Sequence, residues 1–194
     1  MNLPPRYSRC TLDNFDASEN ALALETARAF IAGRLTGLLL VGGTGIGKTH
    51  LMAAIGQAME REAGYEIVEI PGHRPQATEV KAVRPFYESI YDLACVMRRP
   101  FEERCGADPE RDCRAADVLL LDDLGAERLV DNAQIIVEGV IESRYAHQKP
   151  TVITSNLDLD AIVERYGNRM LSRLTEGGRI VQMKGRDRRP EMGR

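Results

Sequence analysis

The sequence predicts one α/β domain, a three-layer αβα sandwich in which helices cover both faces of a five-stranded parallel sheet. Short runs made only of apolar residues are typical of strands buried on both faces of a parallel sheet. They alternate with longer segments whose apolar residues recur at helical spacing. A chain of 194 residues, of which 43% are hydrophobic and 28% charged, suits one such domain. Elements that alternate in this way join through right-handed crossovers.

The first half of the chain predicts two strands and three helices. In order, we expect a helix over residues 19–32 capped by Ser18, a buried strand over 37–41, a helix over 48–63, a strand over 65–70 and a helix over 86–98. Between the last two elements, residues 71–85 contain three prolines and show no clear period, which predicts a loop or an insertion.

The second half predicts the remaining three strands. Residues 100–114 are polar and are expected to be irregular. In order, we then expect a strand over 118–121 that ends at two acids, a helix over 132–147, a strand over 151–154, short helices over 158–166 and 168–175, and a strand over 179–183.

Composition and charge exclude several classes of protein. No run approaches the roughly 18 apolar residues of a membrane span, and the N-terminus lacks an apolar signal core, so we expect a cytoplasmic protein with no membrane partner. The four cysteines follow no zinc-finger spacing and are expected to be reduced structural thiols. A net charge of −3 argues against a nucleic-acid coat protein but allows a local basic track, such as the tail over residues 184–194.

A glycine-rich loop follows the first strand and matches the P-loop pattern at every fixed position. Its residues are Gly42, Gly43, Thr44, Gly45, Ile46, Gly47, Lys48 and Thr49. The glycines let backbone N–H groups converge on phosphate oxygens at the positive end of the next helix. Lys48 is expected to reach the β- and γ-phosphates, and the Thr49 hydroxyl to bind Mg²⁺. The motif and its context together predict ATP and Mg²⁺ as cofactors.

Polar residues also end the next two predicted core strands. Asp122 and Asp123 follow a buried strand, and the carboxyl ends of such strands meet at the ligand-binding edge of an α/β sheet. We expect Asp122 to hold Mg²⁺ and Asp123 to orient or deprotonate the attacking water, slowly because its side chain is short. Asn156 or Thr154 is expected to contact the γ-phosphate or that water; a helix N-cap is the alternative.

Three arginines recur every four residues near the end of the chain. They are Arg165, Arg169 and Arg173. A guanidinium offered to a neighbouring subunit's γ-phosphate would make hydrolysis depend on assembly. We select Arg173 for this role and Arg169 second, whereas a solvated basic stripe is the alternative.

Taken together, the motifs resemble those of the DnaC/DnaI/IstB family of AAA+ ATPases, the helicase loaders and transposition helpers. The likeness spans Arg6 to Arg189. It depends on Thr-Leu-Asp-Asn-Phe at 11–15, Gly-Thr-Gly-Ile-Gly-Lys-Thr-His at 43–50, Leu-Leu-Leu-Asp-Asp-Leu-Gly-Ala-Glu at 119–127, Thr-Ser-Asn-Leu at 154–157 and Gly-Asn-Arg-Met-Leu-Ser-Arg-Leu at 167–174.

The resemblance implies an AAA+ P-loop NTPase fold and a nucleotide site that includes Phe15 and His50. Residues 1–17 would then be an N-terminal extension, with the stretch from Leu12 to Phe15 near the adenine. It also matches Arg173 to the family's arginine finger and residues 154–156 to its first sensor. Only 20 residues follow Leu174, which implies little or no lid domain.

The resemblance further implies head-to-tail assembly with ATP at subunit junctions, and single-stranded DNA as a partner. Basic and aromatic residues between the P-loop and the strand that ends at Asp122 would contact the DNA, or the aromatics would face the core instead. These residues are Lys81, Arg84, Tyr87, Tyr91, Arg98, Arg99, Phe101 and Arg104.

The protein partner is expected to be a replicative helicase or a transposase. The chain begins almost at the ATPase core, where loaders carry a helicase-gripping domain, which weakens the helicase assignment. A nucleotide-gated adaptor with little hydrolysis and a small-molecule P-loop kinase are the alternatives from other classes.

Overall fold

The computed structural model describes residues 1–62, 64–68, 76–97, 108–126 and 133–188. The main sheet consists of the five strands β1 (Gly37–Val41), β4 (Pro85–Ser89), β5 (Val118–Leu124), β6 (Thr151–Ser155) and β7 (Gly178–Gln182). Their order in the sheet is β4-β5-β6-β1-β7, and every pairing is parallel. A separate antiparallel pair consists of β2 (Gly64–Val68) and β3 (Gln76–Val80).

The described residues contain six α-helices. They are α1 (Ala21–Ile31), α2 (Lys48–Met59), α3 (Ile90–Met97), α4 (Pro109–Ala115), α5 (Ala133–Ala146) and α6 (Leu159–Thr175); a 3-10 turn spans Pro5–Tyr7. In the part of the chain that the structure describes, no helix has the length and apolar character needed to span a bilayer.

Both faces of the sheet are buried, which confirms the three-layer prediction. In β1, Leu38 and Leu40 pack into one core cluster, which also contains Phe30 of α1 and Leu51 of α2. Leu39 packs into the other cluster on the opposite face, together with side chains from α3, α5 and α6. Successive residues of a strand point to opposite faces, so a strand covered on both sides is apolar throughout.

The edge strand β4 corrects the helix predicted over 86–98. Pro85–Ser89 is a strand, and α3 begins only at Ile90. Phe86 packs against one core cluster and Tyr87 against the other, which is the period-two pattern of a strand. Phe86 matched the helical spacing only because it lies four residues before Ile90. Proline is tolerated here because an edge strand leaves one row of N–H groups unpaired within the sheet.

Three other predictions differ from the structure. The strand predicted over 65–70 is β2, which pairs with β3 and does not join the main sheet. The segment 71–85 is therefore not wholly a loop, since it contains β3 and the start of β4; residues 71–75 lie outside the described residues. The segment 100–114 contains α4, whose first turn is capped by the Asp108 carboxylate, which accepts from the Arg111 N–H at 3.0 Å.

Two helix boundaries also depend on local chemistry. Gly167 has φ 75° and ψ 162°, a non-helical conformation that divides α6 near the predicted break between two short helices. Helix α1 begins at Ala21, later than Ser18 predicts, because the Ser18 N–H bonds to the Asp16 carboxylate within a turn.

Arg144 is buried to 1% exposure between α4, α5 and β6. Its guanidinium donates to the Thr151 hydroxyl at 2.8 Å and to the carbonyls of Cys113, Ala116 and Pro150 at 2.8, 2.9 and 2.7 Å. Burial lowers the pKa of Arg144 to about 10, which still leaves it charged at neutral pH. This side chain of α5 therefore bonds to polar groups at the end of α4 and at the start of β6.

Replacing Arg144 with methionine is expected to lower the free energy of unfolding by about 3 kcal/mol, because the Cys113 and Ala116 carbonyls and the Thr151 hydroxyl lose the guanidinium donor. Urea denaturation measures this change. Arg28→Met, on the exposed face of α1, is the matched control and should change stability by less than about 0.5 kcal/mol. Equal stability of the two variants would contradict a structural role for the Arg144 guanidinium.

Candidate nucleotide-binding site

The glycine-rich loop lies between β1 and α2, and several of its positions leave no room for a side chain. Gly42, Gly45 and Gly47 have φ values of 146°, 73° and 101°. A Cβ atom at position 42 would lie 2.5 Å from the Met183 carbonyl oxygen, and one at position 47 would lie 3.3 Å from the Phe15 ring. The loop leads directly into the N-terminus of α2, where unpaired N–H groups favour phosphate oxygens.

Lys48 is the first residue of α2 and is 5% exposed. Its ammonium group donates to the carbonyls of Gly42 and Gly43 at 2.8 and 2.5 Å and to the Asn156 Oδ1 at 2.8 Å. The positive charge is therefore held at the loop and beside the carboxyl end of β6.

Asp122 lies near the end of β5 and is 3% exposed. Its Oδ1 accepts from the hydroxyls of Thr49 and Thr154 at 3.0 and 2.5 Å, and its Oδ2 accepts from the Tyr87 hydroxyl at 2.9 Å. Burial, followed by the Asp122 charge, raises the pKa of Tyr87, so its hydroxyl stays protonated as a donor. The sequence motifs predicted Thr49 and Asp122 but not Tyr87.

Asp123 points to the same edge of the sheet because β5 is irregular there. The register of β5 against β6 shifts between Leu121 and Leu124, and Asp123 has φ 61°, in the left-handed region. Its N–H donates to the Thr154 hydroxyl and its Oδ1 accepts from the Asn156 side-chain amide, both at 2.9 Å. In a regular strand, consecutive carboxylates would point to opposite faces.

Asn156 connects the two halves of the site. Its amide oxygen accepts from Lys48 and its amide nitrogen donates to Asp123. The side chain of Thr154 is fully buried and bonded to Asp122. The structure thus brings Lys48, Thr49, Asp122, Asp123 and Asn156 into one hydrogen-bonded cluster.

The N-terminal segment lies against α2 and the glycine-rich loop. Phe15 is 7% exposed and belongs to the core cluster under the loop, with its ring centroid 5.8 Å from that of His50. The His50 Nε2 lies 2.9 Å from the Asn14 Oδ1, and burial lowers the pKa of His50. Phe15 and His50 thus lie beside the glycine-rich loop, and their contact with a nucleotide stays a prediction.

Residues 183–188, which we term the C-terminal strap, run across the same loop. The Asn20 side chain exchanges two hydrogen bonds with the Lys184 backbone at 2.8 and 2.9 Å. The Arg188 N–H donates to the Gly45 carbonyl at 3.1 Å, and its guanidinium pairs with the Asp16 carboxylate at 2.8 Å. Part of the predicted basic tail is thus packed against the nucleotide site, and residues 189–194 lie outside the described residues.

The predicted finger arginines lie on α6 beside α5. Arg173 forms an ion pair with Glu142, its guanidinium lies 5.5 Å from the Tyr145 ring centroid, and its side chain is 18% exposed. The Arg169 side chain is 79% exposed and approaches Glu142 at 3.9 Å. Arg165 stacks on the adjacent Tyr166 ring.

The predicted DNA-contacting set is only partly described. Arg98, Arg99, Phe101 and Arg104 lie outside the described residues. For Tyr87 the structure favours the core-facing alternative, because its ring packs against the core and its hydroxyl donates to Asp122. Tyr91, at 45% exposure, and the side chains of Lys81 and Arg84 are accessible to solvent.

The fold is that of a P-loop NTPase of the AAA+ type. It has a P-loop between β1 and α2, two adjacent acids on β5, polar residues at the end of β6 and the strand order β4-β5-β6-β1-β7. The chain belongs to the family described as the bacterial DnaA ATPase domain, whose model matches residues 7–181.

Two relatives from Escherichia coli K12 extend over most of the chain. YdaV is 25% identical over 98% of this chain and 72% of its own length. The replicative helicase loader DnaC is 20% identical over 91% of this chain and 67% of its own.

Solved structures agree with this family. The crystal structure of the DnaC helicase loader superposes with a TM-score of 0.72 at 27% identity, covering 93% of this chain and 100% of that one. The replication initiator DnaA bound to AMPPCP and single-stranded DNA superposes with a TM-score of 0.66 at 26% identity, covering 96% of this chain and 52% of that one.

Proposed function

We propose that this chain binds ATP with Mg²⁺ and hydrolyses it, and that it acts as a DnaC-like ATPase module that assembles with copies of itself. The observation that carries the proposal is the cluster that joins Lys48 of the loop to Asp123 through Asn156 and joins Thr49 to Asp122. Cation, acid and amide come from three separate elements and meet at one sheet edge, where α/β folds bind ligands.

The oxygen donors at this edge fit a magnesium ion. The Thr49 hydroxyl donates a hydrogen bond to Asp122, so its oxygen lone pairs stay available to the metal. Carboxylate and hydroxyl oxygens are the ligands that Mg²⁺ prefers. When bound, Mg²⁺ would neutralise charge on the β- and γ-phosphates. Lys48 would exchange its contacts with the loop carbonyls for phosphate oxygens.

For hydrolysis, Asp123 and Asn156 are the residues that would act on the attacking water. The Asn156 amide orients the Asp123 carboxylate and lies beside the Lys48 ammonium group. Asn156 is exposed and Thr154 is buried against Asp122, which favours Asn156 over Thr154 as the polar sensor. The short reach of Asp123 supports slow turnover.

We further propose that a second copy of the chain supplies the arginine that completes the site. Arg173 remains our choice of finger, with Arg169 second, and Arg173 would have to leave Glu142 to reach a neighbour's γ-phosphate. Because relatives include a replicative helicase loader, we propose a replicative helicase as the protein partner. The DnaA structure bound to single-stranded DNA supports such DNA as a further partner.

Size-exclusion chromatography with light scattering, combined with a turnover assay over a range of protein concentrations, tests the assembly. We expect ATP analogue to produce oligomers and specific activity to rise with protein concentration. Arg173→Ala should lower turnover about 10³-fold yet bind nucleotide normally, whereas Arg28→Ala on α1 should not affect either. A monomer whose activity is independent of concentration would contradict the proposal.

A further inference from the structure

Three hydroxyl groups from three elements surround the Asp122 carboxylate. Thr49 of α2 and Thr154 of β6 both donate to Oδ1, so both in-plane lone pairs of that oxygen are used. Tyr87 of β4 is the donor to Oδ2. Among the residues that the structure describes, Tyr87 is the donor that we find at Oδ2, so this oxygen can also face a metal ion or a water that the metal holds.

The Tyr87 contact fixes the rotation of this carboxylate. The terminal torsion of aspartate has a broad energy minimum, so contacts must set its orientation. Donors on both oxygens fix that torsion more firmly than two donors on one oxygen can. Groups that orient a metal-binding carboxylate in this way affect metal affinity strongly without touching the metal.

Tyr87 is itself held in place from outside the sheet. It lies on the edge strand β4, where the Asn2 side chain accepts from its N–H and donates to its carbonyl oxygen, both at 2.7 Å. Asn2 thus takes the place of a neighbouring strand. The Tyr7 ring lies 6.3 Å from the Tyr87 ring, centroid to centroid. The N-terminal segment therefore supports the residue that orients Asp122.

We propose that Tyr87 is a positioning residue for the magnesium site. It holds the Asp122 carboxylate in the orientation that Mg²⁺ requires, and its own position depends on its two hydrogen bonds with the Asn2 side chain, which we term the Asn2 clamp. The inference rests on the proposed function and adds to it a residue that none of the sequence motifs contains. It concerns metal affinity and not the affinity of the loop for nucleotide alone.

The test separates these two affinities. ADP binding is measured by calorimetry in EDTA and then in a series of MgCl₂ concentrations, and Mn²⁺ binding to the ADP complex is measured by electron paramagnetic resonance. Tyr87→Phe should leave ADP affinity in EDTA within about twofold and weaken Mg²⁺ and Mn²⁺ affinity about tenfold. Tyr166→Phe makes the same one-oxygen change at a buried tyrosine on α6 and should leave all three values unchanged.

Two results would overturn the inference. If Tyr87→Phe titrates with Mg²⁺ as the unmodified protein does, the Tyr87 hydroxyl does not position Asp122. If it loses equal ADP affinity with and without Mg²⁺, the tyrosine supports the loop and not the carboxylate.

A second variant covers the case in which Tyr87→Phe fails to fold. Asn2→Ala should shift the Mg²⁺ titration in the same direction by a smaller factor, and no shift in a folded protein would count against the clamp. Failure of the proposed function looks different, since the unmodified protein would then bind ADP without dependence on Mg²⁺ or not at all.

Discussion

Lys48→Ala is expected to weaken ATP binding at least about 100-fold. Its ammonium group is buried at the loop, where it contacts two loop carbonyls and Asn156 and would contact the phosphates in their place. Each charge-assisted hydrogen bond contributes about 1.5–3 kcal/mol. The loss of two such bonds corresponds to 100-fold or more in affinity. Calorimetry with ATP analogue and Mg²⁺ measures the change.

Lys184→Ala is the matched control for Lys48→Ala. Lys184 belongs to the C-terminal strap near the same loop, its side chain is exposed, and only its backbone bonds to Asn20. The change in net charge is the same, so a general effect of charge would appear in both variants. We expect affinity within about twofold of the unmodified protein for Lys184→Ala. Equal losses in the two variants would contradict a specific phosphate contact by Lys48.

Asp123→Asn is expected to lower ATP turnover at least about 100-fold, within the range that general acid–base groups contribute. Asparagine has the same shape and tolerates the left-handed backbone at this position. It can also keep the hydrogen bond from Asn156. What it loses is the negative charge and the ability to accept a proton. Nucleotide affinity should stay within about threefold of the unmodified protein. A phosphate-release assay should therefore show a large loss of turnover, while calorimetry shows nearly unchanged binding.

Asp160→Asn controls for the loss of one carboxylate elsewhere. Asp160 lies in the first turn of α6 and is exposed. We expect its turnover and affinity to match those of the unmodified protein. If Asp123→Asn retained full turnover, Asp123 would have no role in activating the attacking water.

The fold could be predicted from the sequence where a strand is covered on both faces. The apolar runs at residues 37–41 and 118–121 became β1 and most of β5, because a strand covered by helices on both faces is apolar throughout. The edge strand β4 was missed because its period-two pattern is visible only at Phe86 and Tyr87, which pack against the core clusters on opposite faces of the sheet. Such a short pattern does not separate a strand from the first turn of the helix that follows it, so the predicted helix began too early.

The sequence predicts those site residues that belong to its motifs. The loop, Asp122 and Asp123 have fixed spacing, and parallel strands bring their ends to one edge. The irregularity that turns Asp123 toward the site has no sequence signal, since it arises from pairing with β6. The contact between Tyr87 and Asp122 joins residues 35 positions apart, and that between Asn20 and Lys184 joins residues 164 positions apart. Local sequence patterns carry no information on contacts over such distances.

The most direct measurement is calorimetry of the unmodified protein with ATP analogue, with Mg²⁺ and with EDTA. A single site per chain, with affinity that rises on addition of Mg²⁺, is the result we predict, because Lys48, Thr49 and Asp122 meet at one sheet edge. A folded protein that takes up no adenine nucleotide in the presence of Mg²⁺ would contradict the nucleotide site and every role that we assign around it.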